Sequence, residues 1–257
     1  MMLDNIRIVL VRTFHPGNIG SAARAMKTMG LNDLYLVDPV DFNTKESLAE
    51  AHKMAMSADD VVEKAKIVDD LYAAVKDCSV IIASTARSRG YDLPELSPEE
   101  SAKKLISASA SNNLLSRGEK VALVFGPERM GLSNDDLQYA KYRVTIPTSP
   151  DYSSLNLAAA VQTLSYEVYK EYLNQTESAD SNGSNETKPD NALPTSEALE
   201  QYYQHLEETL TDTGFIIKNH PGEIVQKLRS LFNRTQLETS ELNILRGILA
   251  SIQRFNK

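Results

Sequence analysis

Five short apolar runs constrain the fold of this chain more than any other feature: Ile6–Val11, Leu34–Val37, Val80–Thr85, Val121–Phe125 and Tyr142–Ile146. All are rich in β-forming residues and are read as near-continuous rather than alternating. A strand with one wet face alternates, whereas a strand covered on both faces reads as a near-continuous apolar run. Helical patterns lie between the runs. Ser21–Met29 is rich in Ala and Met and stops at Gly30, a natural residue for leaving a helix. Ser97-Pro98-Glu99-Glu100 combines a cap, a proline in the first turn and an acid at the third position, and Ser133–Asp136 repeats the cap and acid. Leu157, Val161, Leu164, Val168 and Tyr172 form the apolar face of a helix that closes the domain near residue 173. Strands alternating with helices predict an α/β domain with a mainly parallel sheet.

After that helix the composition changes. Residues 174–194 are polar and acidic and bury too little to offset the entropy of ordering, so they read as a flexible linker. Three helical patterns follow, at about 195–211, 221–233 and 236–255. Thr235 and Glu238 form a cap for the last, and Leu242, Leu245, Leu249 and Ile252 form its apolar stripe. The predicted organisation is an α/β domain over 1–173, an acidic linker over 174–194 and a small all-α module over 195–257. A module that small has little core and calls for a partner surface.

Charge follows the same division. The net charge of −8 argues against sequence-independent nucleic-acid binding. Residues 1–173 hold 19 basic and 23 acidic side chains, 174–214 hold 1 and 9, and 215–257 hold 7 and 3. The C-terminal piece is therefore basic and suited to phosphate. No apolar run is long enough to span a bilayer, and the first residues, MMLDNIRIVLV, read as a strand and not as a signal peptide. The single cysteine, Cys78, excludes an internal disulfide and a Cys-rich metal site, and the cytoplasm is the expected compartment. His15, His52, His205 and His220 show no metal-ligand spacing, so no metal is expected.

Four segments carry chemistry. His15-Pro16-Gly17-Asn18-Ile19-Gly20-Ser21-Ala22-Ala23-Arg24 follows the first run and opens a helix. Gly17 and Gly20 there are expected to let backbone approach a ligand, the helix N-terminus to offer N–H groups to an anion, and Arg24, one turn past Gly20, to grip a phosphate. Leu123–Ser133 runs from a buried strand through a Gly-Pro turn, placing Gly126 and Glu128 beyond the strand's carboxyl end, where open α/β sheets bind ligands. Ile146–Asn156 is a loop stiffened by Pro147 and Pro150, with Ser153 a natural N-cap for the next helix. Ser84-Thr85-Ala86-Arg87-Ser88-Arg89-Gly90 follows the third run. Each pattern alone also suits a plain strand–turn–helix joint. All four follow strands, so one sheet gathers them at one edge. Dinucleotide, P-loop and hydrolase-elbow fingerprints are absent.

Taken together, NIGSAAR, LVFGPERMGLS and IPTSPDYSSLNLAAAV resemble the three signature motifs of the SPOUT class of RNA methyltransferases, in its TrmH-like branch, over about residues 3–173. HPGNIGSAARAMKTMGL, TARSR, PDYSSLNLA and the tail LRSLFNRTQLETSELNILRGIL resemble the members that methylate a tRNA ribose 2′-hydroxyl at the 5′ side of the anticodon loop, conventionally position 32, a cytidine or uridine. The resemblance implies a SPOUT-type sheet with a C-terminal trefoil knot, S-adenosylmethionine as donor, and a homodimer whose active sites combine both subunits. It places the cofactor against Ser84, Thr85, Ala86, Gly126, Glu128, Ile146, Ser153, Ser154 and Leu155. It assigns catalysis to Arg24, with Asn18 and Asn156 as motif asparagines and Ser154 or Ser153 positioning the nucleotide. Arg87, Arg89 and Arg129 become RNA contacts, and Lys227, Arg229 and Arg234 of the tail a surface for the anticodon stem-loop. Neither a membrane nor DNA is an expected partner. A guanidinium stays protonated at neutral pH, so Arg24 is expected to bind the target phosphate and lower the hydroxyl's pKa; in the family's terms it could instead accept the proton. The rival readings are methylation of ribosomal RNA and a non-catalytic tRNA-binding protein on the same fold.

Overall fold

A computed structural model describes residues 2–86, 93–110, 119–179, 193–216 and 224–255. It contains β1 (Ile6–Val11), β2 (Asp33–Val37), β3 (Lys66–Val68), β4 (Cys78–Ser84), β5 (Glu95–Leu96), β6 (Lys120–Phe125) and β7 (Tyr142–Val144). They form one sheet in the order β3-β2-β1-β6-β4-β7-β5, with every pairing parallel. The five apolar runs are the five inner strands. The two edge strands lack that signal: β3 is largely exposed and β5 has two residues, as is usual where a sheet must end without inviting another strand.

Alternate residues of the inner strands enter two cores. Ile6, Ile8 and Leu10 join Leu36, Ile82 and Leu123 on one face; Val9 and Val11 join Val37, Ile81 and Val124 on the other. The first face is covered by α1 (Pro16–Thr28), α2 (Lys45–Ala55) and α3 (Asp59–Glu63), with the later helices α5 (Pro98–Ser109) and α7 (Leu157–Ala179). The second is covered by α4 (Leu71–Val75) and the residues around α6 (Asn134–Leu137). Burial on both faces is why β1, β2, β4 and β6 read as near-continuous apolar runs; β7 departs from that expectation, since Tyr142–Ile146 alternates, with Arg143 only partly buried and bonded to Glu95 of the edge strand.

Three helix boundaries differ from the sequence pattern. α1 starts at Pro16 and not at Ser21, because proline at the first helical position needs no N–H partner there. α7 is capped by Asn156 and not by Ser153: the Asn156 side-chain oxygen accepts from the N–H groups of Ala158 (2.9 Å) and Ala159 (3.3 Å). α7 also runs past 173 to Ala179, so 174–179 of the expected linker are helical. No Gly or Pro interrupts it there, and Gln175 bonds the Glu171 carboxylate one turn back (3.0 Å). Residues 180–192 of that linker lie outside the described residues.

The C-terminal module is built from α8 (Ser196–Asp212), α9 (Ile224–Thr235) and α10 (Thr239–Phe255) around Leu199, Tyr202, Tyr203, Leu242 and Leu249. Thr235 ends α9, its hydroxyl bonding the Phe232 carbonyl, and does not cap α10; Glu241 instead receives the Glu238 N–H (2.9 Å). The partner surface that so small a module requires is the second face of the sheet domain. Glu197 N–H bonds Lys76 O (3.0 Å), Asn233 bonds Gln138 O (3.2 Å), and buried Lys141 donates to both Ser79 O (2.7 Å) and Pro194 O (3.3 Å). Among the described residues no helix is long and apolar enough to cross a membrane.

Candidate active site

Strand order decides which loops meet. β6 lies between β1 and β4, and β7 follows β4, so the loops after these four strands stand side by side. They also end level: Phe125 pairs with both Leu10 and Ser84, and Ser84 pairs with Val144. The three loops after β4, β6 and β7 enclose a pocket of about 880 Å³, including space open to solvent. All nine residues expected at the cofactor line it: Ser84, Thr85, Ala86, Gly126, Glu128, Ile146, Ser153, Ser154 and Leu155. Thr148, Met130, Gly131, Leu157 and Ala160 line it too. These were hidden in the sequence only by the lack of a named motif position, since they sit on the same loops or on the first turn of α7.

The wall after β6 depends on one glycine. A Cβ on Gly126 would lie 2.4 Å from Leu132 N and 2.5 Å from Gly131 C, because the loop folds back on itself where Gly131 takes φ +66°. Gly126 therefore lets the loop close on itself and shape the pocket wall.

A chain of hydrogen bonds joins the three motifs. The Glu128 carboxylate accepts the N–H groups of Phe14 (3.1 Å) and His15 (3.4 Å) and the Asn18 amide (2.8 Å). The Asn156 amide in turn donates to Asn18 Oδ1 (3.0 Å), while its own oxygen caps α7. Partial burial opposes the charge on Glu128, but the Asn18 amide and the N–H donors outweigh it and hold the carboxyl below its ordinary range. Nearby, Arg12 at the end of β1 pairs through both nitrogens with Asp136, which also takes the N–H and hydroxyl of Ser133 (2.7 Å each). Burial opposes ionisation of Asp136, yet Arg12 and Ser133 lower its pKa.

Several expected roles change. A Cβ on Gly20 would meet Ala51 O at 1.9 Å, so Gly20 admits the backbone of α2 and not a ligand. Gly17 faces Glu50 and Met54 of the same helix. The N–H groups of Phe14 and His15, just ahead of α1, are occupied by Glu128 and are not offered to an anion. Asn18 and Ser154 stand at or beside the pocket, whereas Arg24 does not line it: its side chain is exposed on α1 with no hydrogen bond or ion pair among the described residues. Arg129 is exposed on the pocket wall. Arg87 and Arg89 lie outside the described residues. Lys227 and Arg234 are exposed on α9. Arg229 is not available to RNA: it forms two bonds to Glu200 (2.7 and 2.6 Å), stacks over the Tyr203 ring at 4.6 Å and is 11 % exposed. Its charge is consumed inside the module, which a count of basic residues does not reveal.

Chemically, the pocket combines backbone groups and hydroxyls with apolar walls from Phe125, Ile146, Leu155 and Leu157. Glu128 and Arg129 are its titratable side chains, and both Glu128 oxygens already accept hydrogen bonds from Phe14, His15 and Asn18. The arrangement favours binding and positioning over proton transfer by a pocket carboxylate. No group of residues fit to hold a metal ion occurs among the described residues.

The model of the SpoU rRNA Methylase family matches residues 5–166, most of the chain and all three motif loops. The chain belongs to the SpoU methylase family. A second model, that of the C-terminal domain of the tRNA methyltransferase TrmJ, matches residues 197–257. Relatives named tRNA (cytidine/uridine-2′-O-)-methyltransferase TrmJ include one from Salmonella typhimurium, 49 % identical over all of this chain and 99 % of its own length. Another, from Escherichia coli K12, is 48 % identical over all of this chain and 98 % of its own. Among solved structures, TrmJ from Z. mobilis ZM4 has 34 % identity and a TM-score of 0.77, covering 96 % of this chain and 98 % of that one. A probable methylase family protein from Haemophilus influenzae has 39 % identity and a TM-score of 0.61 over 98 % and 97 %. These likenesses cover the C-terminal module as well as the part of the chain that the SpoU model matches.

Proposed function

We propose that this SpoU family member methylates the ribose 2′-hydroxyl of the cytidine or uridine at position 32 of tRNA, with S-adenosylmethionine as donor. The observation that carries the reading is that its similarity to the TrmJ enzymes runs undivided through both parts of the chain, the motif-bearing sheet and the helical tail. The tail weighs against ribosomal RNA, since its own match is to a tRNA methyltransferase's C-terminal domain.

The pocket fits the donor. The loops after β4, β6 and β7 bring hydroxyls and backbone groups, and the apolar wall suits an adenine ring. S-adenosylmethionine supplies a methyl group on a positively charged sulfur. Around it, Ser153 and Ser154 position the nucleotide, and the Glu128–Asn18–Asn156 chain holds the first and third motifs in register. Arg24 binds the target's phosphate and favours loss of the hydroxyl proton. We place the threading of the three loops in the family's trefoil knot.

The active form is a homodimer. Phe14, Met130, Tyr152 and Leu155 stand exposed at or near the pocket and form an apolar rim that a second copy would cover. Arg24, outside the pocket of its own chain, then serves the site of the other copy. Exposed Lys227, Arg234 and Arg254 offer cations to the anticodon stem-loop, and the cytoplasm is where that substrate is met.

The test is transfer of labelled methyl groups into bulk tRNA and ribosomal RNA, followed by nucleoside mapping. A 2′-O-methylated pyrimidine at position 32 is the expected product. Label in ribosomal RNA alone would keep the chemistry and replace the substrate; label in neither would leave a non-catalytic binding protein.

A further inference from the structure

The loop that walls the pocket after β6 is tied at both ends to one short segment, the end of β1 and the residues that follow it. Near its start, Glu128 accepts from Phe14, His15 and Asn18. Beyond its end, in α6, Asp136 takes both terminal nitrogens of Arg12. The residues between the two ties, Arg129, Met130 and Gly131, line the pocket, whereas Arg12 and Asp136 do not. The Glu128 tie belongs to the motif residues already described. The Arg12 tie does not, and no motif calls for it.

Segment 12–15 is the fixed side of this arrangement. The Arg12 N–H bonds Val37 O (2.8 Å) and Thr13 O accepts the Val40 N–H (3.0 Å), so the segment continues the sheet. The wall is the side that needs fixing. Gly131 N–H to Pro127 O (2.9 Å) closes its turn without joining it to a strand. Leu132 buries the end of the turn in the second core, but apolar burial has no preferred direction. An ion pair through two nitrogens does have one. Arg12 makes it from an uncommon backbone: its φ is +48°, a region that disfavours any side chain as long as this. Such conformations persist where the surrounding contacts enforce them, and they cluster at ligand clamps.

Two plainer roles fit less well. A contact to RNA needs a free cation, and the charge of Arg12 is matched by Asp136, which is 6 % exposed. Capping α6 needs no arginine, because Ser133 and Asp136 satisfy each other's N–H groups. We infer that Arg12 is a positioning residue for the cofactor: through Asp136 it holds the wall over residues 126–131 in the shape that binds S-adenosylmethionine. The inference rests on the placing of the donor in this pocket.

Calorimetric titration of the full chain with S-adenosylmethionine, beside steady-state methylation of tRNA, tests it. Arg12→Ala should weaken cofactor binding by roughly tenfold, the scale of losing one charge-assisted pair. The KM for S-adenosylmethionine should rise with it, while kcat at saturating cofactor and the KM for tRNA stay at the native values. Arg12→Lys should recover part of the affinity. Asp136→Asn, which keeps an oxygen for the Ser133 cap, should match Arg12→Ala. The double variant should be no weaker than either single one, because both remove the same contact. If Arg12→Ala does not fold, Arg12→Met, which keeps most of the side chain's length, gives the same comparison. Native cofactor affinity in these Arg12 variants would overturn the inference. So would additive losses in the double variant, a loss confined to kcat, or a loss confined to tRNA affinity with a smaller salt slope. In each of those outcomes the native chain still binds S-adenosylmethionine and the donor keeps its place. A native chain that binds none would overturn the donor's placing and this inference together.

Discussion

At the scale of single residues, the candidate site is governed by where a few charges are directed. Arg24 is exposed and outside the pocket of its own chain, so its roles in cofactor binding and in turnover should separate. Arg24→Ala should lower kcat by about 10²–10³-fold, the scale of losing one charge-stabilising group, with cofactor affinity by calorimetry unchanged. Arg24→Lys should rescue little, because an ammonium does not reproduce a bidentate grip; near-normal turnover in that variant would exclude such a grip. Glu128 holds its three donors from the ionised state. Its folded pKa is depressed, so the stability it adds is present above the ordinary carboxyl range and is lost as pH falls through the lower folded value. Glu128→Gln should therefore cost about 1 kcal/mol at pH 7, allowing for partial exposure, and the gap to the native chain should close in acid, read by urea unfolding at the two pH values.

At the scale of elements, glycines and arginines take their meaning from the neighbouring helix. Gly20 is the contact between α1 and α2, and a methyl group there would have to displace the Ala51 carbonyl. Gly20→Ala should destabilise the chain by about 1–3 kcal/mol, the usual range for overpacking, and a thermal-unfolding midpoint equal to native would contradict that contact. In α9, Arg229 is largely buried in an ion pair, whereas Lys227 and Arg234 are exposed. Arg229→Ala strands Glu200 and should lower stability while leaving the salt dependence of tRNA binding nearly unchanged. Lys227→Ala and Arg234→Ala should each reduce the slope of log affinity against log salt by about 1. A smaller slope for Arg229→Ala than for Lys227→Ala would reverse the assignment.

At the scale of the whole molecule, the tail is seated on the same segment that follows the second motif. Lys141 bridges the two parts through Ser79 O and Pro194 O and has no carboxylate partner among its hydrogen bonds. Burial pulls its pKa down to about 8 from the ordinary 10.5. Between those values the unfolded chain keeps a proton that the folded chain has released, so folding gains stability as pH rises. Relative to Lys141→Met, the native chain should gain in urea midpoint between pH 7 and pH 10. A constant difference across that range would mean that Lys141 keeps an ordinary pKa and that the junction is wetter than its burial indicates.

What could be read from residues alone was what local chemistry records. Four of the five inner strands were legible because burial on both faces writes itself as near-continuous apolar runs, and β7 through its β-forming residues; β3 and β5 were not, because exposed edges carry no such mark. That the motif loops share one sheet edge followed from each loop succeeding a strand, and the nine residues that line the pocket followed from the family resemblance. Glycine in the first motif announced a close approach, but not that α2 is what approaches. Basic residues in the tail announced positive charge, but not that Glu200, 29 residues before Arg229, neutralises one of them. Composition, periodicity and motifs thus determined the class, the inner sheet and the functional edge. The strand order, the partner of each charge and the seating of the tail on the sheet domain were decided only in three dimensions, because they depend on contacts between residues far apart in the chain.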